Sequence, residues 1–216
     1  SFVVQASDDT PLNTNVDFNI SWGYSSTAPC DNEYFNDNGC VQQANLVYST
    51  IIGHPPILIW DPTDQHLSGM RLVEYFNENN ISGFDYLDSA TIPSIESIQN
   101  YTTIFILLGV YDQNFVLNEG SDVFVDFLYN GGNIYMEGAD TWAFDLTTNL
   151  HNMFGITPLA DGSADLNEIV GIDNTFTQDL IFSYSGGNSY IDRLEASNGG
   201  FPILKNINPE YYTAIA

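Results

Sequence analysis

Acidic side chains end, or follow within a few residues, three apolar segments of this sequence: ILIW at 57–60, TIFILLG at 103–109 and NIYME at 133–137. If these segments are parallel strands, the residues that follow them meet at one edge of a sheet, where ligands bind. Grouped carboxylates at such an edge hold a hard divalent cation through oxygen ligands or exchange protons as general acid and base. The candidate rim carboxylates are Asp61, Asp64, Asp112, Glu137 and Asp140.

Two uses of these carboxylates stay open. In a hydrolase, Asp61, Glu137 and Asp140 are the candidates for acid, base and ligand. In the structural alternative, Asp61 and Asp140 cap the helices that follow them, because a carboxylate there accepts backbone N–H bonds and faces the positive end of the helix dipole.

A second oxygen-rich segment lies between Cys30 and Cys40, the only cysteines of the chain. Asp31, Glu33 and Asp37 in this segment are candidate calcium ligands, although their order does not match the EF-hand pattern. The alternative is a solvated turn closed by a disulfide. A Cys30–Cys40 disulfide predicts an oxidising, extracytoplasmic compartment, whereas two free thiols would fit a cytosolic loop.

Motifs for other chemistries are missing from the sequence. No serine lies in a G-x-S-x-G elbow, and neither G-x-G-x-x-G nor a Walker-type loop is present. The histidines His54, His66 and His151 lack the close spacing of zinc ligands. Dinucleotide and nucleoside triphosphate chemistry therefore have no support, whereas a Ser-His-Asp set stays open because its members need not be close in sequence.

Hydrophobic periodicity predicts the elements that position the rim. From Ile57 onward, short apolar runs alternate with amphipathic stretches, a pattern typical of a parallel sheet with helical crossovers. The predicted strands are 57–60, 84–87, 103–109 and 133–137, and the predicted helices are 66–79, 94–101, 117–129 and 141–153. The pieces ITPLA, EIVGI, LIFSY, FPIL and YYTAIA beyond Gly155 are predicted to extend the sheet or to form a β-rich C-terminal part.

Residues 1–53 are predicted to form a separate N-terminal β segment that contains the cysteine loop, and residues 54–216 the α/β domain. The alternation from Val16 to Tyr24 predicts a half-buried strand with Phe2–Gln5 as its hairpin partner. The stretch from Ser25 to Gly53 is predicted to be irregular. Because the sequence stops in an apolar run, we expect an unpaired terminal strand and a chain that continues beyond Ala216.

Charge excludes several classes of partner. The chain has 216 residues, with 28 acidic against 3 basic side chains and a net charge of −25. Nucleic acid and anionic lipid are excluded because too few cations are present to neutralise phosphates. Membrane insertion is not expected, since no apolar run approaches the roughly 18 residues of a span. Divalent metals and protein surfaces remain open, and 44% hydrophobic residues supply a core.

Three segments carry a resemblance to a known family: ILIWDPTD, YTTIFILLGVYDQNFVLNEGSDVFVDFLYNGGNIYMEGAD and FPILK. In these segments the stretch from Ile57 to Ala216 resembles the class I glutamine amidotransferase-like modules of secreted bacterial surface and protease-associated proteins. The resemblance implies a flavodoxin-like α/β fold. Active members place a cysteine on the turn after the GG-strand, where this chain has Glu137-Gly138-Ala139-Asp140, so the resemblance implies the architecture without the catalytic cysteine.

The predicted function is therefore a non-catalytic structural or interaction module of a larger extracellular or cell-surface protein. Its expected partners are other proteins or copies of itself, joined by strand addition into a filament through Phe2–Gln5, Val16–Tyr24 and the terminal strand. The alternative is a secreted hydrolase that uses the rim carboxylates. A glycan-binding module with exposed tyrosines and tryptophans is a third hypothesis.

Overall fold

A computed structural model describes residues 14–26, 40–52, 55–110, 117 and 120–216 of the chain. The chain divides into two compact units, Ser1–His54 and Pro55–Ala216. This division lies one residue from the predicted boundary after residue 53.

The first unit contains a long antiparallel pair of strands, β1 (Thr14–Ser26) and β2 (Cys40–Ile52). The predicted strand in β1 is confirmed, but the prediction of irregular structure from Ser25 to Gly53 is wrong. The polar run QQAN in β2 has no clear period of two, and the strand is defined by its pairing with β1 along all 13 residues. Phe2–Gln5 lies outside the described residues.

The cysteine loop also lies largely outside the described residues. Cys40 begins β2, whereas the predicted partner Cys30 and the predicted calcium ligands Asp31, Glu33 and Asp37 fall in the undescribed connection between β1 and β2. The disulfide and the calcium site in this loop therefore stay predictions.

The second unit begins with a four-stranded parallel sheet, in the order β4-β3-β5-β6. Three helices connect its strands. The bounds are β3 (Ile57–Trp60), α1 (Leu67–Glu78), β4 (Phe84–Leu87), α2 (Ile95–Ile98), β5 (Thr103–Leu107), α3 (Asp122–Tyr129) and β6 (Asn133–Glu137). The parallel pairing of these strands confirms the predicted parallel sheet. Its strands have continuous apolar runs such as ILIW because they are buried on both faces.

Alternate residues of the central strands enter two hydrophobic clusters. Trp60 of β3 and Ile104 of β5 pack with Phe124 of α3, and the rings of Trp60 and Phe124 lie 5.3 Å apart. Ile59 and Leu107 pack with Phe76 of α1 in the other cluster. The period of two along each strand thus assigns its side chains alternately to the α3 and α1 sides of the sheet.

The rest of the second unit is an antiparallel sheet of six short strands, in the order β7-β10-β12-β11-β8-β9. The strands are β7 (Ile156–Ala160), β8 (Glu168–Gly171), β9 (Ile181–Ser183), β10 (Arg193–Ala196), β11 (Pro202–Asn206) and β12 (Tyr211–Ile215). All five predicted C-terminal pieces contain a strand, and β10 was not predicted. The unit is thus α/β with a β-rich C-terminal part that forms a sheet of its own.

The predicted helix over 141–153 is wrong, since this stretch contains turns and a single 3-10 turn, His151–Met153. The amides of Trp142 and Ala143 donate to the carboxylate of Asp192, which holds the chain in a turn. A distant acceptor has therefore replaced the local helical hydrogen bonds.

The expectation of an unpaired terminal strand is also wrong. β12 lies inside the antiparallel sheet, where its backbone pairs with β10 on one side and β11 on the other. Among the described residues, no helix is both long and apolar enough to span a bilayer.

Candidate functional site

Asp61 directly follows β3 at the carboxyl end of the parallel sheet and is only 1% exposed. Its Oδ1 accepts hydrogen bonds from the amide and the hydroxyl of Thr63, at 3.1 and 2.6 Å. Its Oδ2 accepts the amide of Gly69 in the first turn of α1, at 3.1 Å. The carboxylate therefore joins the β3–α1 loop to the start of α1, which is the capping role of the structural alternative.

Gly69 and His66 lie directly against the carboxylate of Asp61. A β-carbon at position 69 would overlap Oδ2 of Asp61 and lie 2.8 Å from Cε2 of Tyr86, so only glycine fits between them. His66, at the N-cap of α1, brings its Nδ1 to 3.5 Å from Oδ1 of Asp61. Both oxygens of Asp61 are thus occupied by groups of the same loop and helix.

A small cleft of about 130 Å³ opens beside this loop, between α1 and the end of β5. Asp64, which is exposed, lines it together with Thr63, Leu107 and Gly109. Asp112, another predicted rim carboxylate, lies outside the described residues.

Glu137 and Asp140 lie at the end of β6, apart from Asp61. β5 separates β6 from β3, so the strand ends that carry these residues are roughly 10 Å apart at about 4.8 Å per strand. Glu137 is half-buried and accepts the hydroxyl of Tyr135 at 2.9 Å. Among the described residues, Asp61, Asp64 and Glu137 belong to no group of three or more carboxylates close enough to share one ion.

Asp140 instead belongs to a cluster with two residues that the sequence analysis missed. One carboxylate oxygen from each of Asp140, Asp161 and Asp192 lies within 4.8 Å of the others, and these three residues are called the carboxylate cluster from here on. Asp140 and Asp192 are 2% and 5% exposed, whereas Asp161 is exposed at the surface.

Backbone contacts bring the members of the carboxylate cluster together. The amide of Asp192 donates to the carbonyl of Ala139 at 3.0 Å, which holds Asp192 beside Asp140. A β-carbon at Gly162 would overlap the backbone of Ile191, so the absence of a side chain lets the turn that carries Asp161 approach Asp192. The only local signal in the sequence is this Asp161-Gly162 pair, typical of a turn.

The two oxygens of Asp192 have different surroundings. Oδ2 accepts the amides of Trp142 and Ala143 at 2.7 and 3.1 Å. Oδ1 is buried and has no hydrogen-bond partner in the part of the chain that the structure describes. Burial, opposed by the two amide bonds and reinforced by the charges of Asp140 and Asp161, raises the pKa of Asp192 to about 7.

His151 supports the turn next to the carboxylate cluster. Its Nδ1 lies 2.8 Å from the hydroxyl of Thr148, its Nε2 lies 2.7 Å from the carbonyl of Thr141, and its ring packs edge-on against Trp142. Burial lowers the pKa of this histidine. Since both ring nitrogens are hydrogen-bonded within the turn, His151 stabilises the turn.

A third feature is the open edge of the antiparallel sheet at β9. Ile181 and Phe182 are 71% and 42% exposed, and Phe176 and Leu180 nearby are exposed as well. The segment LIFSY at 180–184 contains no charged residue. Natural edge strands are usually protected by charge, proline or a bulge, so an exposed apolar edge is typical of a binding surface.

Comparisons with known proteins give no match: no family model, no curated protein and no solved structure matches this chain. The resemblance to amidotransferase-like modules therefore stays a prediction.

Proposed function

We propose that this chain is a non-catalytic structural and interaction module of a larger extracellular or cell-surface protein, and that it joins further copies of itself by strand addition. The observation that carries this proposal is the apolar, uncharged edge strand β9. A flavodoxin-like arrangement of the α/β part and export from the cell belong to the same proposal. Their support is the pattern of the sequence and the predicted pairing of Cys30 with Cys40.

Among the described residues, only β8 pairs with β9, which leaves the other side of its backbone for strand addition. The amide of Gly171 donates to the carbonyl of Leu180, and the amide of Tyr184 donates to the carbonyl of Asn167. Because hydrogen-bonded residues alternate along an antiparallel strand, Phe182 also points its backbone groups toward β8. Ile181 and Ser183 then point their amides and carbonyls away from β8, where an added strand would pair with them.

The first unit offers a strand to pair with this edge. Among the described residues, β1 and β2 pair only with each other, over 13 residues. A two-stranded ribbon is marginally stable in water by itself and gains stability when a further strand or surface covers it. Addition of one ribbon edge to β9 of the next copy would be head-to-tail and would build an open polymer.

The rim supports a structural role for Asp61. A general acid or base must be free to reach substrate, and both oxygens of Asp61 are held by Thr63 and Gly69. The hydrolase alternative would therefore depend on Glu137 and Asp140. Glu137→Gln and Asp140→Asn variants that lose a hydrolytic activity of the purified chain would favour it over the proposal. Glycan binding remains the third hypothesis, tested by a glycan array.

Light scattering after size-exclusion chromatography tests the proposal. We expect the measured mass to rise with protein concentration, and to rise further with salt, because salt screens the repulsion between copies with a net charge of −25. Ile181→Lys places a charge on the edge, and Ser183→Pro removes an outward amide without removing a β8–β9 hydrogen bond. Both variants should remain monomeric.

The matched control is Leu159→Lys, which changes a 59% exposed leucine on the opposite edge strand, β7. This variant should assemble as the unmodified chain does. A chain that stays monomeric at every concentration and salt, or edge variants that assemble normally, would contradict the proposal.

A further inference from the structure

We propose that Asp140, Asp161 and Asp192 bind a hard divalent cation, and that Ca²⁺ is the ion that suits this donor set. This site is distinct from the predicted loop ligands Asp31, Glu33 and Asp37 and does not depend on self-assembly.

The geometry of the carboxylate cluster suits one shared ion. Three carboxylate oxygens within 4.8 Å of one another can all reach a single central cation, since Ca²⁺–oxygen distances are about 2.3–2.6 Å. Two of the carboxylates are buried and the third, from Asp161, is exposed. An ion would therefore enter from the surface past Asp161 and reach the buried pair.

The second observation is the buried Oδ1 of Asp192. Asp192 is 5% exposed, and this oxygen has no hydrogen-bond partner in the described ranges, although Oδ2 accepts two amides. A buried acceptor without a partner is costly, and a bound cation would satisfy it. The amide bonds to Oδ2 also fix the orientation of the carboxylate, so a cation bound to Oδ1 would not have to order this side chain first.

Among the described residues, no lysine or arginine forms an ion pair with Asp161 or Asp192. Its three basic side chains form ion pairs elsewhere: Arg71 with Glu74, Arg193 with Asp165 and Lys205 with Glu210. Arg193 follows Asp192 directly, but its guanidinium also stacks on Tyr211, 4.8 Å from the ring centre. Among the described residues, neither Asp161 nor Asp192 forms an ion pair with a basic side chain, so an external cation would bring positive charge to these two carboxylates.

The donor chemistry favours Ca²⁺ over softer or more demanding metals. All three ligands are carboxylates, without the histidine or cysteine that zinc prefers. Ca²⁺ accepts irregular shells of carboxylates and waters, whereas Mg²⁺ requires near-octahedral geometry. A groove of about 530 Å³, lined by Asp192, Gly138 and Trp142 among others, gives water access to the remaining positions.

A calcium titration of the whole chain provides the first test. Protein freed of metal with a chelator is heated with rising CaCl₂, and with NaCl at matched ionic strength to account for screening. We expect Ca²⁺ to raise the unfolding midpoint by several degrees more than NaCl does, because a ligand that binds only the folded state stabilises it. No calcium-specific rise would overturn the proposal.

Two variants assign the effect to this cluster. Asp161→Asn removes the charge of the exposed ligand without leaving a buried group unsatisfied. Asp192→Asn removes the charge of the buried ligand while keeping an acceptor for Trp142 and Ala143. Both should lose most of the calcium-dependent shift. A full shift in Asp161→Asn would place the ion elsewhere and overturn the proposal. Asp173→Asn, at an exposed residue outside the carboxylate cluster, is the matched control and should keep the shift.

A spectroscopic measurement does not depend on stability. Tb³⁺ substitutes for Ca²⁺ at oxygen sites, and its emission is sensitised by a nearby indole. Trp142 lies at the cluster, since its amide bonds to Asp192. We expect Tb³⁺ emission that Ca²⁺ displaces, with a large loss in Trp142→Phe while the calcium-dependent midpoint shift persists. Emission unchanged in Trp142→Phe would contradict binding at this cluster.

Discussion

Asp61 and Asp192 are both buried aspartates in tight loops of the second unit, and both accept two backbone amides. At Asp61 the amides are divided, with Thr63 on Oδ1 and Gly69 on Oδ2. At Asp192 both amides, from Trp142 and Ala143, bind Oδ2. The number of donors is the same, but the first carboxylate is satisfied on both oxygens and the second keeps one buried oxygen without a partner among the described residues.

The charges around the two aspartates differ as well. Asp61 has the Nδ1 atom of His66 at 3.5 Å, whereas Asp192 has the carboxylates of Asp140 and Asp161 within 4.8 Å. The first arrangement stabilises a loop with groups from the chain itself. The second leaves excess negative charge, which a proton or a metal ion can compensate. Burial alone therefore does not distinguish a structural carboxylate from a candidate ligand.

The largest effect is expected for Asp61→Ala. This change leaves the buried amide of Gly69 and the loop amide of Thr63 without their acceptor, which costs about 3 kcal/mol of unfolding free energy. Asp61→Asn keeps one acceptor and should cost less. Urea unfolding measures both, with Asp64→Ala, an exposed neighbour, as the control that changes little. An Asp61→Ala chain of normal stability would remove the contrast with Asp192.

The second largest effect is expected for Gly69→Ala. The added methyl group would overpack against Asp61 and Tyr86, which should lower the unfolding free energy by about 2 kcal/mol. The sign is informative, because glycine to alanine in a helix interior normally stabilises by about 1 kcal/mol. Met70→Ala, at the next and exposed position of α1, provides the comparison. A stabilised Gly69→Ala chain in thermal unfolding would show that the loop yields to the added methyl group.

Asp192→Asn should change the pH dependence of stability, measured with a chelator present. The pKa of Asp192 is raised from 3.8 to about 7 in the folded chain, mainly by burial. The folded state therefore binds a proton more tightly between these values, and this group's contribution to stability is present at low pH and lost as pH rises through about 7.

In urea unfolding at a series of pH values, Asp192→Asn should lose less stability than the unmodified chain as the pH rises from about 4 to about 7. Asp173→Asn, a control with the same charge change at an exposed position, should keep the original slope. Parallel profiles for the unmodified chain and Asp192→Asn would mean that Asp192 is ionised throughout this range.

The smallest effect is expected for Tyr86→Phe. The hydroxyl of Tyr86 lies 3.5 Å from Oδ2 of Asp61, at the limit of a hydrogen bond, so its removal should change the unfolding free energy by less than about 0.5 kcal/mol. Denaturant unfolding of Tyr86→Phe and Asp61→Asn under the same conditions compares their losses of unfolding free energy. A loss as large as that of Asp61→Asn would show that the hydroxyl, rather than the amides, holds Asp61.

The elements that were predicted correctly are those whose hydrophobic periodicity is visible within a short stretch of sequence. The strands around 57–60, 84–87 and 133–137 are continuous or alternating apolar runs, and α1 follows from helical spacing within 14 residues. The capping role of Asp61 was also within reach, because its partners Thr63 and Gly69 lie two and eight residues away. Local sequence determines such contacts through backbone periodicity and short loops.

Errors occur where a distant partner determines the local structure. The predicted helix over 141–153 competes with hydrogen bonds from Trp142 and Ala143 to Asp192, about 50 residues later. β2 is defined by its pairing with β1, and β12 lies between β10 and β11 rather than at an open edge. In each case a nonlocal hydrogen bond or strand pairing outweighs a weak local preference.

By itself, the sequence determined the acidic surface, the parallel sheet and the loop that Asp61 closes, because composition and short-range periodicity are properties of neighbouring residues. Only the tertiary structure decided that Asp140 meets Asp161 and Asp192, and that β9 rather than the terminal strand forms an exposed edge. The physical reason is that these arrangements depend on which segments approach one another across the fold, and backbone contacts such as Gly162 with Ile191 have no periodic signature in the chain.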